Sequence, residues 1–220
     1  DEAHGQHELP RELEHLIERH RTTTSTFDCL VPVSGGKDGS YVAHTLKTRY
    51  GLRPLTLTVT PALPLEIGNE NLRRFIDSGF DHLQINSHPG VMQKLNRHGL
   101  IEMGFPYYGW LAAVQAGVVR MASNLRIGLI FYGEEGETEY GGSTELQDSP
   151  IYNVNYMKQI YLEGGLPKVL SAANVSDRDA YFFTFPSEEE LKDIRLELTH
   201  WSYFENWDPY RNYLVAKEFC

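Results

Sequence analysis

The residues best suited to chemistry form the string SGGKDGS, which begins at Ser34 between an apolar run and an amphipathic one. Gly35 and Gly36 allow the backbone to turn tightly and to point its N–H groups inward. Lys37 and the hydroxyl of Ser40 add further donors, and a helix beginning here would add the partial positive charge of its N-terminus. The string therefore predicts an anion site.

The aspartate in this string restricts the kind of anion. Asp38 would repel a bare phosphate unless a divalent cation lies between the two groups, so we expect Asp38 to bind Mg²⁺. The string is neither the GxxxxGK[ST] loop of the common nucleoside triphosphatases nor the GxGxxG turn of dinucleotide-binding proteins.

The surrounding segments predict how this loop is held. A short apolar strand, FDCLVPV, precedes it, and a helix, SYVAHTLKTRYG, follows it. Further strands are expected in RPLTLTVT, DHLQINS and LRIGLIFYGEEGE, and they alternate with helical segments. This alternation predicts an α/β fold with a doubly wound, mostly parallel sheet. Such sheets bind ligands beyond the carboxyl ends of their strands, where the loop would lie.

We expect three regions along the chain. Residues 1–26 contain a leading amphipathic helix, and residues 27–142 form the nucleotide-binding core. Residues 143–220 begin with an insertion or lid and end with a strand in ELTHWSYFENW and a helix in DPYRNYLVAKEF, where Pro209 marks the helix start.

Composition narrows the range of partners. The chain of 220 residues has a formal charge of −10, which weighs against a nucleic-acid partner and favours a small molecule or a protein. It contains no apolar run near the roughly 20 residues that span a bilayer, and its first residues lack the features of a signal peptide. We therefore expect a cytoplasmic protein with no membrane partner. Cys29 and Cys220 are too few and too far apart to indicate a disulfide framework or a zinc site.

The string SGGKDGS resembles the PP-loop, SGGxD[ST], of the ATP pyrophosphatases, whose fold is adenine nucleotide alpha hydrolase-like. These enzymes cleave ATP to AMP and pyrophosphate while they adenylate a substrate oxygen. The resemblance implies that the β- and γ-phosphates of ATP are held by Ser34, Gly35, Gly36, Lys37, Asp38, Gly39 and Ser40. It also implies that Lys37 neutralises the leaving pyrophosphate and that Asp38 places Mg²⁺. Gly39 stands where that pattern has Ser or Thr, so we expect Ser40 to supply the hydroxyl.

Other candidate residues follow the strand ends. Thr58 and Thr60 end the second predicted strand and are expected to flank the adenine, although both could be ordinary strand residues. Gly133, Glu134 and Tyr140 follow the fourth predicted strand, where they could bind ribose, a metal or a substrate. We select Glu134 and Tyr140 as catalytic candidates, against the alternative of a solvated acidic loop.

A closer resemblance covers most of the chain. The family is the bacterial N-acetyl sugar amidotransferases of lipopolysaccharide O-antigen and pseudaminic or legionaminic acid biosynthesis. The similar blocks, in order, are FDCLVPVSGGKDGSYVAHTLKTRYGLRPLTLTVTP, IGNENLRRFIDSGFD, LIFYGEEGETEYGG and YFENWDPYRNYLVAKEF. In that family an acetamido group on a nucleotide-linked sugar becomes an acetamidino group, and a glutaminase and cyclase-like pair supplies ammonia. Members usually also carry a cysteine-rich leading segment and extend beyond the WDP block, and this sequence shows neither feature.

Two other functions also fit the sequence. One is another PP-loop ligase or a sulfur transferase, although sulfur transfer usually needs reactive cysteines or an iron–sulfur ligand set. The other is a non-catalytic nucleotide-binding module that serves a partner protein.

Overall fold

The computed structural model describes residues 9–21, 26–133, 150–160 and 165–220 of the chain. Within these parts, no helix has the length and hydrophobicity needed to cross a bilayer.

Five strands form one sheet in the order β3-β2-β1-β4-β5, and every pairing between them is parallel. The strands are β1 (Cys29–Pro32), β2 (Pro54–Val59), β3 (His82–Ile85), β4 (Leu129–Tyr132) and β5 (Glu197–His200). The predicted α/β fold with a doubly wound sheet is confirmed, and the C-terminal segment does supply the last strand. Tyr152 adds an isolated antiparallel bridge to Leu198 of β5.

The helices alternate with these strands. They are α1 (Leu9–His20), α2 (Lys37–Thr48), α3 (Glu66–Asp77), α4 (Pro89–His98), α5 (Tyr108–Asn124), α6 (Val154–Ile160), α7 (Leu166–Ala172), α8 (Glu188–Leu191) and α9 (Pro209–Phe219). A π-helical turn, Gly99–Met103, joins α4 to α5. Helix α9 packs along α2, the helix that starts at the glycine loop.

The sheet is covered on both faces. Because successive side chains of a strand point to opposite faces, Leu30 and Ile130 contribute to one buried cluster while Val31 and Phe131 contribute to another. The first cluster includes side chains of α4 and α5, and the second includes side chains of α1, α2 and α3. Burial on both faces explains why β1 and β4 are apolar throughout, without the alternation of a half-exposed strand.

The strand order reverses beside β1. From β1 the chain continues outward to β2 and β3, and then returns to place β4 on the other side of β1. The connections that follow β1 and β4 therefore leave in opposite directions and open a crevice at the carboxyl edge of the sheet. The glycine loop lies at this crevice.

Helix α1 is attached to the amino end of β5 by charged side chains. His20 Nε2 lies 2.6 Å from Glu197 Oε2, and Arg19 Nη2 lies 3.0 Å from the same oxygen. Arg195 pairs with the other oxygen at 2.9 Å. Burial alone would raise the pKa of Glu197, but the hydrogen bonds and charges of His20 and Arg19 together outweigh it and lower the pKa below its usual value.

We expect Glu197→Gln to lower the free energy of unfolding at neutral pH by about 1 kcal/mol, because it removes a charged acceptor from these partners. The folded pKa of Glu197 is depressed, so its contribution is complete above the ordinary value of 4.5 and is lost as the pH falls through the folded pKa. Urea unfolding of both proteins across a series of pH values would measure this. A difference that does not shrink in acid would contradict the assignment.

Candidate functional site

The loop after β1 is a turn that requires glycine. Gly35 has a φ of +80°, in the left-handed region, and a Cβ there would collide with the carbonyl oxygen of Gly68. Gly36 is the N-cap of α2, and no side chain caps the first turn of that helix. The N–H groups of the first turn of a helix have no partner within the helix, so here they can donate to an anion.

The start of α2 is packed tightly between the ends of β1 and β4. A Cβ on Gly39 would lie 2.7 Å from the carbonyl oxygen of Pro32. A Cβ on Gly133, the residue after β4, would lie 2.7 Å from the backbone of Gly39. The structure thus places the predicted site residue Gly133 directly against the loop. Position 39 has no room for the Ser or Thr of the pattern that the string resembles, because a Cβ there would meet the carbonyl oxygen of Pro32.

We expect Gly39→Ser and Gly133→Ala each to lower the free energy of unfolding by at least 1–3 kcal/mol, roughly the cost of overpacking a filled site. Gly68→Ala is the matched control, because a Cβ at this helical glycine meets nothing within 4 Å. It should be neutral or stabilising by roughly 0.5–1 kcal/mol. Chemical denaturation would measure all three, and a Gly39→Ser protein as stable as the parent would contradict the packing argument.

Ser40 lies inside the first turn of α2. Its side chain is buried, and its Oγ donates to the carbonyl oxygen of Gly36 at 2.8 Å. The hydroxyl therefore sits beneath the loop and supports its backbone. The expected contact between Ser40 and ATP stays a prediction.

Lys37 and Asp38 form an ion pair at the mouth of the loop. Lys37 Nζ lies 2.8 Å from Asp38 Oδ2, and the two side chains are 38% and 26% exposed. The other oxygen, Asp38 Oδ1, accepts a hydrogen bond from Nδ2 of Asn212 at 3.0 Å. The structure thus brings the two principal candidates together and holds both oxygens of the carboxylate.

Helix α9 supplies residues that our sequence analysis did not select. Asn212 of α9 is fully buried and reaches Asp38 across a separation of 174 residues. Asp208, at the start of the same helix, accepts hydrogen bonds from the backbone N–H groups of Tyr210 and Arg211 and so caps α9. This gives the aspartate of the WDP block a structural role. An asparagine inside a helix is unfavourable without a compensating partner, and this is the one sequence signal that could have drawn attention to Asn212.

Two cavities flank the loop. The first, of about 270 Å³, lies between the loop and α5 and is mainly apolar. Its lining includes Ser34, Gly36, Asp38, Leu57, Val59, Trp110, Leu111 and Val114. Trp110 is held at its wall because the indole N–H donates to the carbonyl oxygen of Val59 at 3.2 Å. A flat aromatic ring, such as that of adenine, could stack against such a wall.

The second cavity, of about 400 Å³, lies on the other side of the loop, beside α3 and α9. Its lining includes Gly35, Lys37, Ser40, Asn71, Arg74 and Lys217. Three basic side chains thus face a cavity that also borders the start of α2. Such a lining favours negatively charged groups.

The threonines at the end of β2 do not line the apolar cavity. The side chain of Thr58 is buried and its hydroxyl donates to the carbonyl oxygen of Val33. Thr60 donates to Asn86 Oδ1 at 2.8 Å. Leu57 and Val59, on the alternate face of the strand, face the cavity instead. The expected contacts of Thr58 and Thr60 with adenine stay predictions.

The predicted catalytic residues Glu134 and Tyr140 lie outside the residues that the structure describes.

The described residues contain no group of three or more His, Cys, Asp or Glu side chains arranged to hold a metal ion. Asp38 alone nevertheless fits the usual arrangement for Mg²⁺ at nucleotide sites, in which one or two carboxylates and the substrate phosphates supply the ligands.

Cys29 is fully buried, and burial, with the neighbouring charge of Asp28, raises the pKa of its thiol. Cys29 is therefore unsuited to act as a nucleophile.

A cavity larger than either of these two lies away from the loop. It has a volume of about 630 Å³ and is lined by Lys158, Leu166, Pro167, Leu170, Ser171, Val175, Asp177, Thr184 and Phe185. None of these belongs to the loop, so cavity size alone does not locate the candidate site. The charged groups and uncapped amides at the carboxyl edge of the sheet locate it better.

Comparisons with known proteins add little to this geometry. No family model matches the chain. No curated protein matches it either. A solved structure titled as a predicted subunit of tRNA methyltransferase from Methanocaldococcus jannaschii is similar over 86% of this chain and 74% of that one, with 15% sequence identity and a TM-score of 0.43. The strand order and the alternating helices of this chain establish its α/β fold by themselves.

Proposed function

We propose that the chain is an ATP-dependent enzyme that binds Mg·ATP at the glycine loop. The observation that carries this proposal is the loop itself, where uncapped helix amides and Lys37 converge at the switch point of a parallel sheet. The resemblance of SGGKDGS to the PP-loop of ATP pyrophosphatases supports the same reading. Adenosine would enter the apolar cavity beside Trp110, and the β- and γ-phosphates would lie against the loop amides.

The ion pair between Lys37 and Asp38 gives this site a role for each charge. On binding, Lys37 would turn from Asp38 to the phosphates, while Asp38 Oδ2 would face the metal. When bound, Mg²⁺ would neutralise negative charge that develops on the leaving pyrophosphate. The exchange replaces one ion pair with two charge-assisted contacts, so no charge is left unpaired.

The proposed substrate is a nucleotide-linked N-acetyl sugar, and resemblance to the N-acetyl sugar amidotransferases supports this choice. The acetamido oxygen would form a bond to the α-phosphorus, and the bond from that phosphorus to pyrophosphate would break. Ammonia would then add to the imidate carbon, AMP would leave with the oxygen, and loss of a proton would give the amidine. Adenylation is needed because an amide oxygen is otherwise a poor leaving group.

Ammonia must reach the adenylated substrate before water does. We therefore propose a glutaminase and cyclase-like partner that delivers ammonia to the crevice. The residues from Ser143 to Ala180, interpreted from the sequence as an insertion or lid, are the proposed contact region. The described part of this segment contains α6 and α7, which pack on the α5 side of the sheet.

We expect Lys37→Ala to weaken Mg·ATP binding roughly tenfold or more, because it removes a charge-assisted contact to phosphate. Lys47→Ala is the matched control, since Lys47 lies in the last turn of the same helix and donates to the carbonyl oxygen of Gly79. Isothermal titration calorimetry would give both affinities. An equal affinity for parent and Lys37→Ala proteins would contradict the proposed phosphate site.

We expect continued formation of AMP and pyrophosphate, over many turnovers, only when Mg·ATP, ammonium and a nucleotide-linked acetamido sugar are all present. Chromatography of the nucleotides and mass spectrometry of the sugar would follow the reaction, and the sugar should lose about 1 Da as oxygen is replaced by NH. AMP formation that is indifferent to every acetamido sugar would reject the amidotransferase and favour another ligase. Tight ATP binding with no turnover, even with a glutaminase partner, would favour a non-catalytic module.

A further inference from the structure

Asn212 is a fully buried polar residue within α9, and both ends of its amide are engaged. Nδ2 donates to Asp38 Oδ1 at 3.0 Å, and Oδ1 accepts from Arg211 Nη2 at 3.2 Å. Burying an amide is costly unless it is hydrogen-bonded, so these contacts justify the residue's position. Neither contact is needed to form α9, which is capped separately by Asp208.

The neighbours of Asn212 determine which way its amide faces. The guanidinium of Arg211 can only donate, so it must face the carbonyl oxygen of the Asn212 amide. The ionised carboxylate of Asp38 can only accept, so it must face the NH₂ group. If the amide were flipped, its NH₂ group would face the donors of Arg211 and its oxygen would face the acceptor oxygens of Asp38.

Arg211 is itself held in place. Its Nη2 lies 3.3 Å from Glu205 Oε2, and its guanidinium lies 4.8 Å from the centre of the Tyr41 ring. Glu205 also accepts from the Tyr41 hydroxyl at 2.7 Å and from Trp201 Nε1 at 2.8 Å. Burial and the hydrogen bond to Glu205 raise the pKa of Tyr41 to about 12, so the phenol stays a donor at neutral pH. The series of hydrogen-bonded side chains that runs from Glu205 through Arg211 and Asn212 to Asp38 is therefore fixed at Glu205.

We propose that Asn212 is a positioning residue that orients the Asp38 carboxylate toward the metal of Mg·ATP. The inference rests on the proposed function, because the metal arrives with the nucleotide. The carboxylate of an aspartate rotates easily about χ2. When Lys37 turns to the phosphates, Asp38 loses its contact at Oδ2, and the bond from Asn212 to Oδ1 keeps Oδ2 facing the crevice.

The experiment compares nucleotide affinity with and without metal. Asn212→Leu keeps a similar volume but cannot donate. By isothermal titration calorimetry we expect its affinity for Mg·ATP to fall about tenfold, the effect of losing one hydrogen bond to a charged group. Its affinity for ATP in EDTA should change less than about twofold, within the range for sites that are not coupled. If Asn212 has only a structural role, the substitution should weaken the affinities for Mg·ATP and for metal-free ATP equally. That result would overturn the inference.

A second experiment, which starts from the Asp38→Asn protein, tests whether Asn212 acts through Asp38. In Asp38→Asn protein, the further change Asn212→Leu should cause no additional loss of Mg·ATP affinity, because the carboxylate it positions is gone. An additive loss would overturn the inference. Asn212→Ser, which is too short to reach Asp38, serves as a second variant if leucine prevents folding, and circular dichroism would check both proteins.

Asn124→Leu is the control for replacing an asparagine by leucine away from the site, because Asn124 is exposed at the end of α5 and its amide donates to the Tyr181 hydroxyl. It should leave both affinities unchanged. If the parent protein binds no Mg·ATP, the proposed function fails and the inference fails with it. If the parent binds Mg·ATP and Asn212→Leu binds it equally well, only the inference is overturned.

Discussion

The site depends on the close contact between the first turn of α2 and the ends of β1 and β4. Gly39 lies against the carbonyl group of Pro32, and Gly133 lies against Gly39, with no room for a Cβ at either glycine. This contact places the N-terminus of α2 at the reversal of strand order, where the crevice opens. Without it, the amides of the loop and the charges of Lys37 and Asp38 would not lie together at the crevice.

A second constraint comes from the opposite end of the sequence. Helix α9 packs along α2, and its Asn212 reaches Asp38, while Glu205 connects Arg211 with Tyr41. The charged residues of the loop are therefore not independent side chains on a turn. They form one end of a hydrogen-bonded network that α9 and the turn before it hold in place, which explains how a single carboxylate can keep one orientation.

The fold and the loop followed from local patterns, because apolar strands, a glycine turn and an amphipathic helix each leave a signal in contiguous residues. The contact between Asn212 and Asp38 could not be predicted in this way, since it joins residues 174 positions apart. It could not be predicted either that Leu57, and not Thr58, lines the apolar cavity. Which face of β2 borders the cavity depends on how α5 packs against the sheet.

The central claim is that the glycine loop holds the phosphates of ATP. A crystal structure with Mg²⁺ and α,β-methylene-ATP, which cannot lose pyrophosphate, tests it most directly. The account predicts the β- and γ-phosphates against the amides of Gly35 and Gly36, Mg²⁺ at Asp38, and the adenosine beside Trp110. Nucleotide bound elsewhere on the protein, or none at saturating concentration, would contradict it.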